Sequence, residues 1–195
     1  MSRSSLSGKL AGHIATLCSR NGSIFHAGWP PLRRSCPLIL VTVGTQLPFD
    51  RLVKAVDTFA TELSKPVLAQ IGRGSYTPQN MKWIKNIEPK DFDKVFRDAT
   101  IIVSHAGIGT VLTAKRFGKP IILVPRQAAL GEHRNDHQLA TVGQLAGRPG
   151  IYVAHTDDDL KNYLLEDLDS PSHEDSSEAG RASLVSYLKN YIAAV

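Results

Sequence analysis

The sequence predicts a single α/β domain built on a mostly parallel sheet, with helices covering both faces. Three observations carry that expectation. Short apolar runs such as Leu38-Ile39-Leu40-Val41-Thr42-Val43 and Ile121-Ile122-Leu123-Val124 read as strands buried on both sides. Segments with helical spacing of apolar residues alternate with those runs. The chain has 195 residues, 42% of them apolar, which suits one core, and two cysteines exclude a disulfide scaffold.

The elements follow in order from residue 37. The first strand, 38–43, ends at Gly44, and Asp50 is placed to cap a helix whose apolar positions are Val53, Val56, Phe59, Ala60 and Leu63. A second strand covers 66–71, a Gly/Pro-broken loop 72–80, a short strand 83–87 and a helical turn 91–98. Then come a strand at 100–103, a helix at 109–117 closed by Gly118, and a strand at 120–124. Residues 135–145 read as a helix stopped by Gly147 and Pro149, and 151–154 as a last strand. The helix at 156–168 opens with Asp157-Asp158-Asp159, acids that favourably oppose the helix dipole rather than form a metal motif. An acidic Ser/Pro linker, 169–177, leads to a terminal helix at 178–194.

Charge separates the leader from the domain. Residues 1–36 hold Arg3, Lys9, Arg20, Arg33 and Arg34 and no acid, so they carry the whole net charge of +5, and residues 37–195 are neutral. Cys18 and Cys36 also lie in this leader. The +5 therefore supports no nucleic-acid binding by the folded part. The leader reads as a flexible arm, with a presequence, a mis-assigned start and a membrane-surface role as alternatives. No run approaches the ~18 apolar residues of a membrane span, and a 21% charged fraction excludes wholesale disorder.

Ligands of parallel sheets bind beyond the carboxyl ends of the strands. Three loops there carry the unusual residues: Gly44-Thr45-Gln46, Ser104-His105-Ala106-Gly107-Ile108-Gly109-Thr110, and the long segment 125–138. In the second loop, Gly107 and Gly109 let the backbone approach a ligand, the following helix end offers N–H groups, and Thr110 and His105 add donors. These suit a phosphate or pyrophosphate; a plain tight turn is the alternative. In the third loop, Glu132, His133, Arg134, Asp136, His137 and Gln138 suggest a ligand-facing segment, or a solvated loop in which Asn135 or Asp136 caps a helix. His133-x3-His137 has zinc-ligand spacing without a third ligand, so no metal is expected. A third glycine, a following acid and a Walker lysine are all missing, which argues against classical dinucleotide or P-loop binding.

Ser104-His-Ala-Gly-Ile-Gly-Thr110, then Gly118-Lys-Pro120, then Asp136-His-Gln138 together resemble the donor-binding, C-terminal half of GT-B glycosyltransferases of the family 28 type. Residues 41–50 and 131–138 are further similar to small subunits of bacterial exopolysaccharide and capsule glycosyltransferases. They are similar too to the cytosolic subunit of the eukaryotic transferase that adds the second GlcNAc of the dolichol-linked oligosaccharide. The resemblance implies one Rossmann-like domain, a UDP-sugar donor and a lipid-diphosphate-linked saccharide acceptor. It also implies a membrane-anchored, acceptor-binding partner subunit that would hold the chain at the cytoplasmic face of the membrane. The length agrees, since a complete GT-B enzyme needs two such domains.

By the same resemblance, His105, Gly107, Gly109 and Thr110 would hold the pyrophosphate with Gly44 and Thr45 nearby. Gln138, Asp136 and His137 would contact the sugar, and Arg126 and Glu132 belong to the same donor site. Arg126, His133 and Arg134 could pair with a uronate carboxylate, make a structural ion pair or contact the partner. Thr113 stands where related enzymes often carry a ribose-binding Glu, and a hydroxyl cannot make the paired acceptance of a carboxylate. The implied reaction is an inverting, metal-independent displacement with no catalytic base on this chain, which would be inactive alone. An enhancer subunit that binds no donor is the alternative.

Overall fold

A computed structural model describes residues 37–171. The leader, most of the 169–177 linker and the helix expected at 178–194 lie outside these residues. The sheet has six strands, all parallel: β1 (Leu38–Thr42), β2 (Val67–Gln70), β3 (Lys82–Ile84), β4 (Ala99–His105), β5 (Ile121–Val124) and β6 (Ile151–Val153). Their spatial order is β3-β2-β1-β4-β5-β6, so the chain crosses over once between β3 and β4. That reversal opens a crevice at the carboxyl ends of β1 and β4, where open α/β sheets bind ligands.

The apolar runs become the central strands, and β1, β2 and β5 are buried at every position. Ile39, Val41 and Val43 face a cluster shared with α1 (Asp50–Phe59) and α5 (Asp157–Leu165), to which Val53, Val56, Leu160 and Leu164 contribute. The alternate residues Leu40, Ile102 and Leu123 are equally buried toward the opposite face. There α2 (Pro89–Asp98) packs on β1 and β4 with Val95 and Phe96. The two edge strands are the short ones, and β3 exposes Lys82 and Trp83, a charged, truncated edge of the kind that discourages strand addition.

Several boundaries differ from the sequence expectation. α1 stops at Phe59, four residues before Leu63, which instead packs on the cluster from outside the helix. α2 begins at Pro89, a residue pre-set for a first helical turn because its missing N–H is not needed there. β3 is shifted back to 82–84 by its register with β2. The expected cap is the clearest correction. Phe49, not Asp50, holds the N-cap position of α1, and the Asp50 carboxylate accepts bonds from the Ser75 backbone N–H (3.0 Å) and Ser75 hydroxyl. The cap of α5 is present, a reciprocal box between Thr156 and Asp159.

Asp57 is the buried charge of this face, at 1% exposure on α1. It accepts bonds from the Tyr76 hydroxyl (2.7 Å) and the Gln79 and Asn80 backbone N–H groups (2.9 and 2.8 Å), and so pins the 72–80 loop to the helix.

Candidate functional site

The three glycine- and histidine-bearing loops meet at the crevice. They line a cleft of about 410 Å³ formed by Val43 to Leu47, by His105 to Thr110, and by Arg126, His133, His137, Gln138 and Thr141. Of the sequence-predicted donor residues, Gly44, Thr45, His105, Gly107, Gly109, Thr110, Arg126, His137 and Gln138 are on this wall. Glu132 and Asp136 are not.

His105 ends β4, and the two neighbouring glycines exist to seat its ring. A Cβ on Gly44 would stand 2.9 Å from its Cε1, and one on Gly107 would stand 2.4 Å from its Nε2. Gly44 also has φ near +77°, a conformation that side chains with a Cβ resist. The close approach read from the sequence at Gly107 is therefore to His105. Gly109 is different: a Cβ there would meet nothing within 4 Å, so its face opens on the cleft.

Burial, with the Arg126 charge adding to it, depresses His105 to about 4, only partly offset by a bond to the Thr42 backbone. The imidazole is uncharged at neutral pH, and its single N–H is engaged by the Thr42 backbone carbonyl, so the ring is not the free donor expected from the sequence. Between pH 4 and 6.5 the unfolded chain binds a proton that the folded ring refuses, so stability rises with pH across that window. Urea unfolding of wild type and H105N at several pH values between 4 and 7 should show the difference between them changing through this interval. An unchanging difference would contradict a buried neutral ring.

α3 (Ile108–Arg116) starts at Gly107 with no side-chain cap and no acid in its first turn, in contrast to the capped, acid-rich start of α5. Ile108, Gly109 and Thr110 of its first turn line the cleft, which brings the positive dipole end to it, although the Thr110 N–H is taken by the Gly107 carbonyl at 3.1 Å; the arrangement suits an oxyanion. Thr113 is committed elsewhere, its hydroxyl donating to the Gly109 carbonyl at 2.8 Å.

The 125–138 loop is a built structure. After β5 it makes a single 3₁₀ turn, Ala128–Leu130, which the sequence did not signal, and reaches α4 (His137–Leu145). Glu132 accepts two bonds from Arg51 (2.7 and 3.0 Å) and one from the Gln127 N–H (3.0 Å). Arg51 also donates to the Pro125 carbonyl at 3.0 Å. Asp136 occupies the N-cap position of α4 without capping it, and accepts from the Ala128 N–H at 2.8 Å. Both carboxylates thus hold the loop's shape. The Asn135 side chain bonds His137 Nδ1 rather than capping, and the His133 and His137 rings meet edge to face at 4.4 Å.

Gln138 is buried, and its carbonyl oxygen accepts from the Arg126 backbone N–H at 3.1 Å. That bond fixes the amide orientation and leaves its NH₂ as the end available to a ligand. Arg126 is 3% exposed, and its Nη2 donates to the carbonyls of Val43 and Leu47, both at 2.8 Å. Among the described residues no three His, Cys, Asp or Glu side chains are grouped to hold a metal, and no helix is long and apolar enough to cross a membrane.

A wholly parallel, doubly wound sheet with a crevice at its switch point is the architecture of a Rossmann-like α/β domain. More particularly, the chain belongs to the glycosyltransferase family 28 C-terminal domain family, whose model matches residues 38–190. The chain is 27% identical over 156 residues to the UDP-N-acetylglucosamine transferase subunit ALG13 of Yarrowia lipolytica (strain CLIB 122 / E 150), covering 69% of this chain and 78% of that one. Its fold is similar to the glycotransferase of kitacinnamycin (TM-score 0.53, 20% identity, 75% of this chain and 38% of that one). It is also similar to the glycosyltransferase SnogD from Streptomyces nogalater (TM-score 0.50, 21% identity, 75% and 39%). The chain thus spans less than half the length of these solved transferases. Its fold is that of the C-terminal half of a GT-B glycosyltransferase.

Proposed function

We propose that this chain is the donor-binding subunit of a two-subunit inverting glycosyltransferase. It would transfer a sugar from a UDP-sugar to a lipid-diphosphate-linked saccharide in exopolysaccharide or capsule synthesis. The observation that carries the reading is the meeting of the uncapped start of α3, the open face of Gly109 and the His105 ring in one cleft. An uncapped helix end stabilises the diphosphate leaving group as the glycosidic bond to it breaks, and the neutral His105 ring packs beside it as part of the cleft wall. In this reading the displacement needs no metal. Gln138 and His137, on the opposite wall, meet the sugar.

The acceptor hydroxyl needs a base within hydrogen-bond reach, and no carboxylate lines the described cleft. The base and the acceptor site therefore belong to a membrane-anchored partner, which holds this chain at the cytoplasmic face. The similarity to a protein named as a transferase subunit supports that division. So does an apolar rim beside the cleft, where Leu47 is 37%, Ile108 51% and Leu112 62% exposed. The purified chain should transfer no sugar alone and should do so when combined with its acceptor half and a lipid-diphosphate-linked acceptor. Robust transfer by the single chain would refute the proposal.

Thr113 favours a second reading, an enhancer subunit that binds no donor, because its hydroxyl is already spent on Gly109. An active complex whose isolated small subunit fails to bind UDP would favour that reading.

A further inference from the structure

Arg126 combines three features that a scaffolding residue does not require together. It lies almost wholly inside the protein yet lines the cleft, and it is the only Arg or Lys among the described cleft residues. None of the described carboxylates forms an ion pair with it, because the nearby Glu132 is occupied by Arg51 and the Gln127 N–H. Its Nε is buried with no hydrogen-bond partner, while Nη2 is held by two carbonyls and the guanidinium lies 5.0 Å from the centre of the Phe49 ring. Burial disfavours the Arg126 charge, and the attraction of nearby Glu132 offsets that only in part, so the cost falls further when an anion arrives.

We propose that Arg126 is the fixed counter-charge of the cleft, a positioning residue that draws the donor's diphosphate onto the α3 helix end and takes no part in choosing the sugar. The proposal rests on the donor-binding reading above and adds a source of charge to it. His105 cannot be that source, since burial and the Arg126 charge keep its ring neutral at physiological pH. Arg126 itself is held in place: its Nη2 fastens the loop after β1, and its backbone N–H fastens Gln138. One residue therefore ties the loop after β1 to the Gln138 wall of the cleft.

The test is calorimetric titration of UDP and of uridine into wild type, R126K and R126Q. R126Q keeps an N–H donor for the Val43 and Leu47 carbonyls but removes the charge. R126Q should lose about 30-fold or more in UDP affinity and no more than about threefold for uridine, which lacks the diphosphate; R126K should stay within about fivefold for UDP. With the complete transferase, R126Q should lower the use of UDP-glucose and UDP-glucuronate equally. Titration of the His105 ring by NMR gives a second readout independent of binding: in R126Q its pKa should move up from about 4 toward 6.5. Equal loss of UDP and uridine, an R126K as weak as R126Q, a selective loss of UDP-glucuronate or an unmoved His105 titration would overturn the proposal. A wild-type chain that binds no UDP would instead overturn the donor-binding reading beneath it.

Discussion

Gly109→Glu should abolish UDP binding while leaving the fold intact. Nothing lies within 4 Å of the position a Cβ would take at Gly109, so the backbone tolerates a side chain there. The position is in the first turn of α3, where a carboxylate is favourable to the helix by about 0.3–1 kcal/mol. The same carboxylate occupies the space and the dipole end that the diphosphate would use. A loss of about 100-fold or more in UDP affinity, near 2.7 kcal/mol, is expected with an unchanged or slightly raised melting temperature. Gly109→Ala serves as the control for space alone and should cost far less. Thermal melts and calorimetry on the two variants read both quantities, and a G109E protein that still binds UDP tightly would place the diphosphate elsewhere.

The second large effect is on stability. Asp57→Ala removes the buried acceptor of the part-buried Gln79 and Asn80 backbone N–H groups and of the Tyr76 hydroxyl. A hydrogen bond to a charged acceptor contributes about 1.5–3 kcal/mol, less where water can replace it, so a net loss of about 3 kcal/mol is expected for the three. For a chain of this size that lowers the melting temperature by roughly 6–12 °C. Burial alone would favour the protonated acid, but the bonds from Gln79, Tyr76, Asn80 and Met81 together outweigh it and hold the carboxyl below its usual 3.8. The stabilisation is complete above pH 3.8 and drains away as the pH falls through the lower, folded-state value. D57N should therefore be less stable than wild type at neutral pH, with the gap closing in strong acid, below the interval in which His105 acts. Urea unfolding at a series of pH values checks this; a gap independent of pH would contradict an ionised Asp57.

The sheet was legible because its central strands are buried on both faces, so Leu38 to Val43 and Ile121 to Val124 are unbroken apolar runs that periodicity alone picks out. The strand order was not, since parallel neighbours are joined by long crossovers and nothing local says that β4 pairs with β1 rather than with β3. The glycines and histidine of the second loop were legible for the same local reason: a turn between a buried strand and a helix leaves few roles for His105. What stayed hidden are polar groups whose partners are remote in sequence. Asp57 answers a loop about twenty residues on, Glu132 answers Arg51, and Arg126 answers Val43 and Leu47. A faint signal existed for two of them. Asp57 lies on the apolar stripe of α1, four residues after Val53 and three before Ala60, where an exposed acid has no place. Arg126 follows Val124-Pro125 at the end of a buried strand, before the chain has reached the surface.

A donor-binding subunit must hold a nucleoside diphosphate by its phosphates within this one domain. Titration of UDP into the purified wild-type chain, with uridine as the comparison ligand, measures that directly. Saturable one-to-one binding of UDP, with uridine weaker by about 100-fold or more, is the predicted result. No binding of UDP, or equal affinity for UDP and uridine, would contradict it.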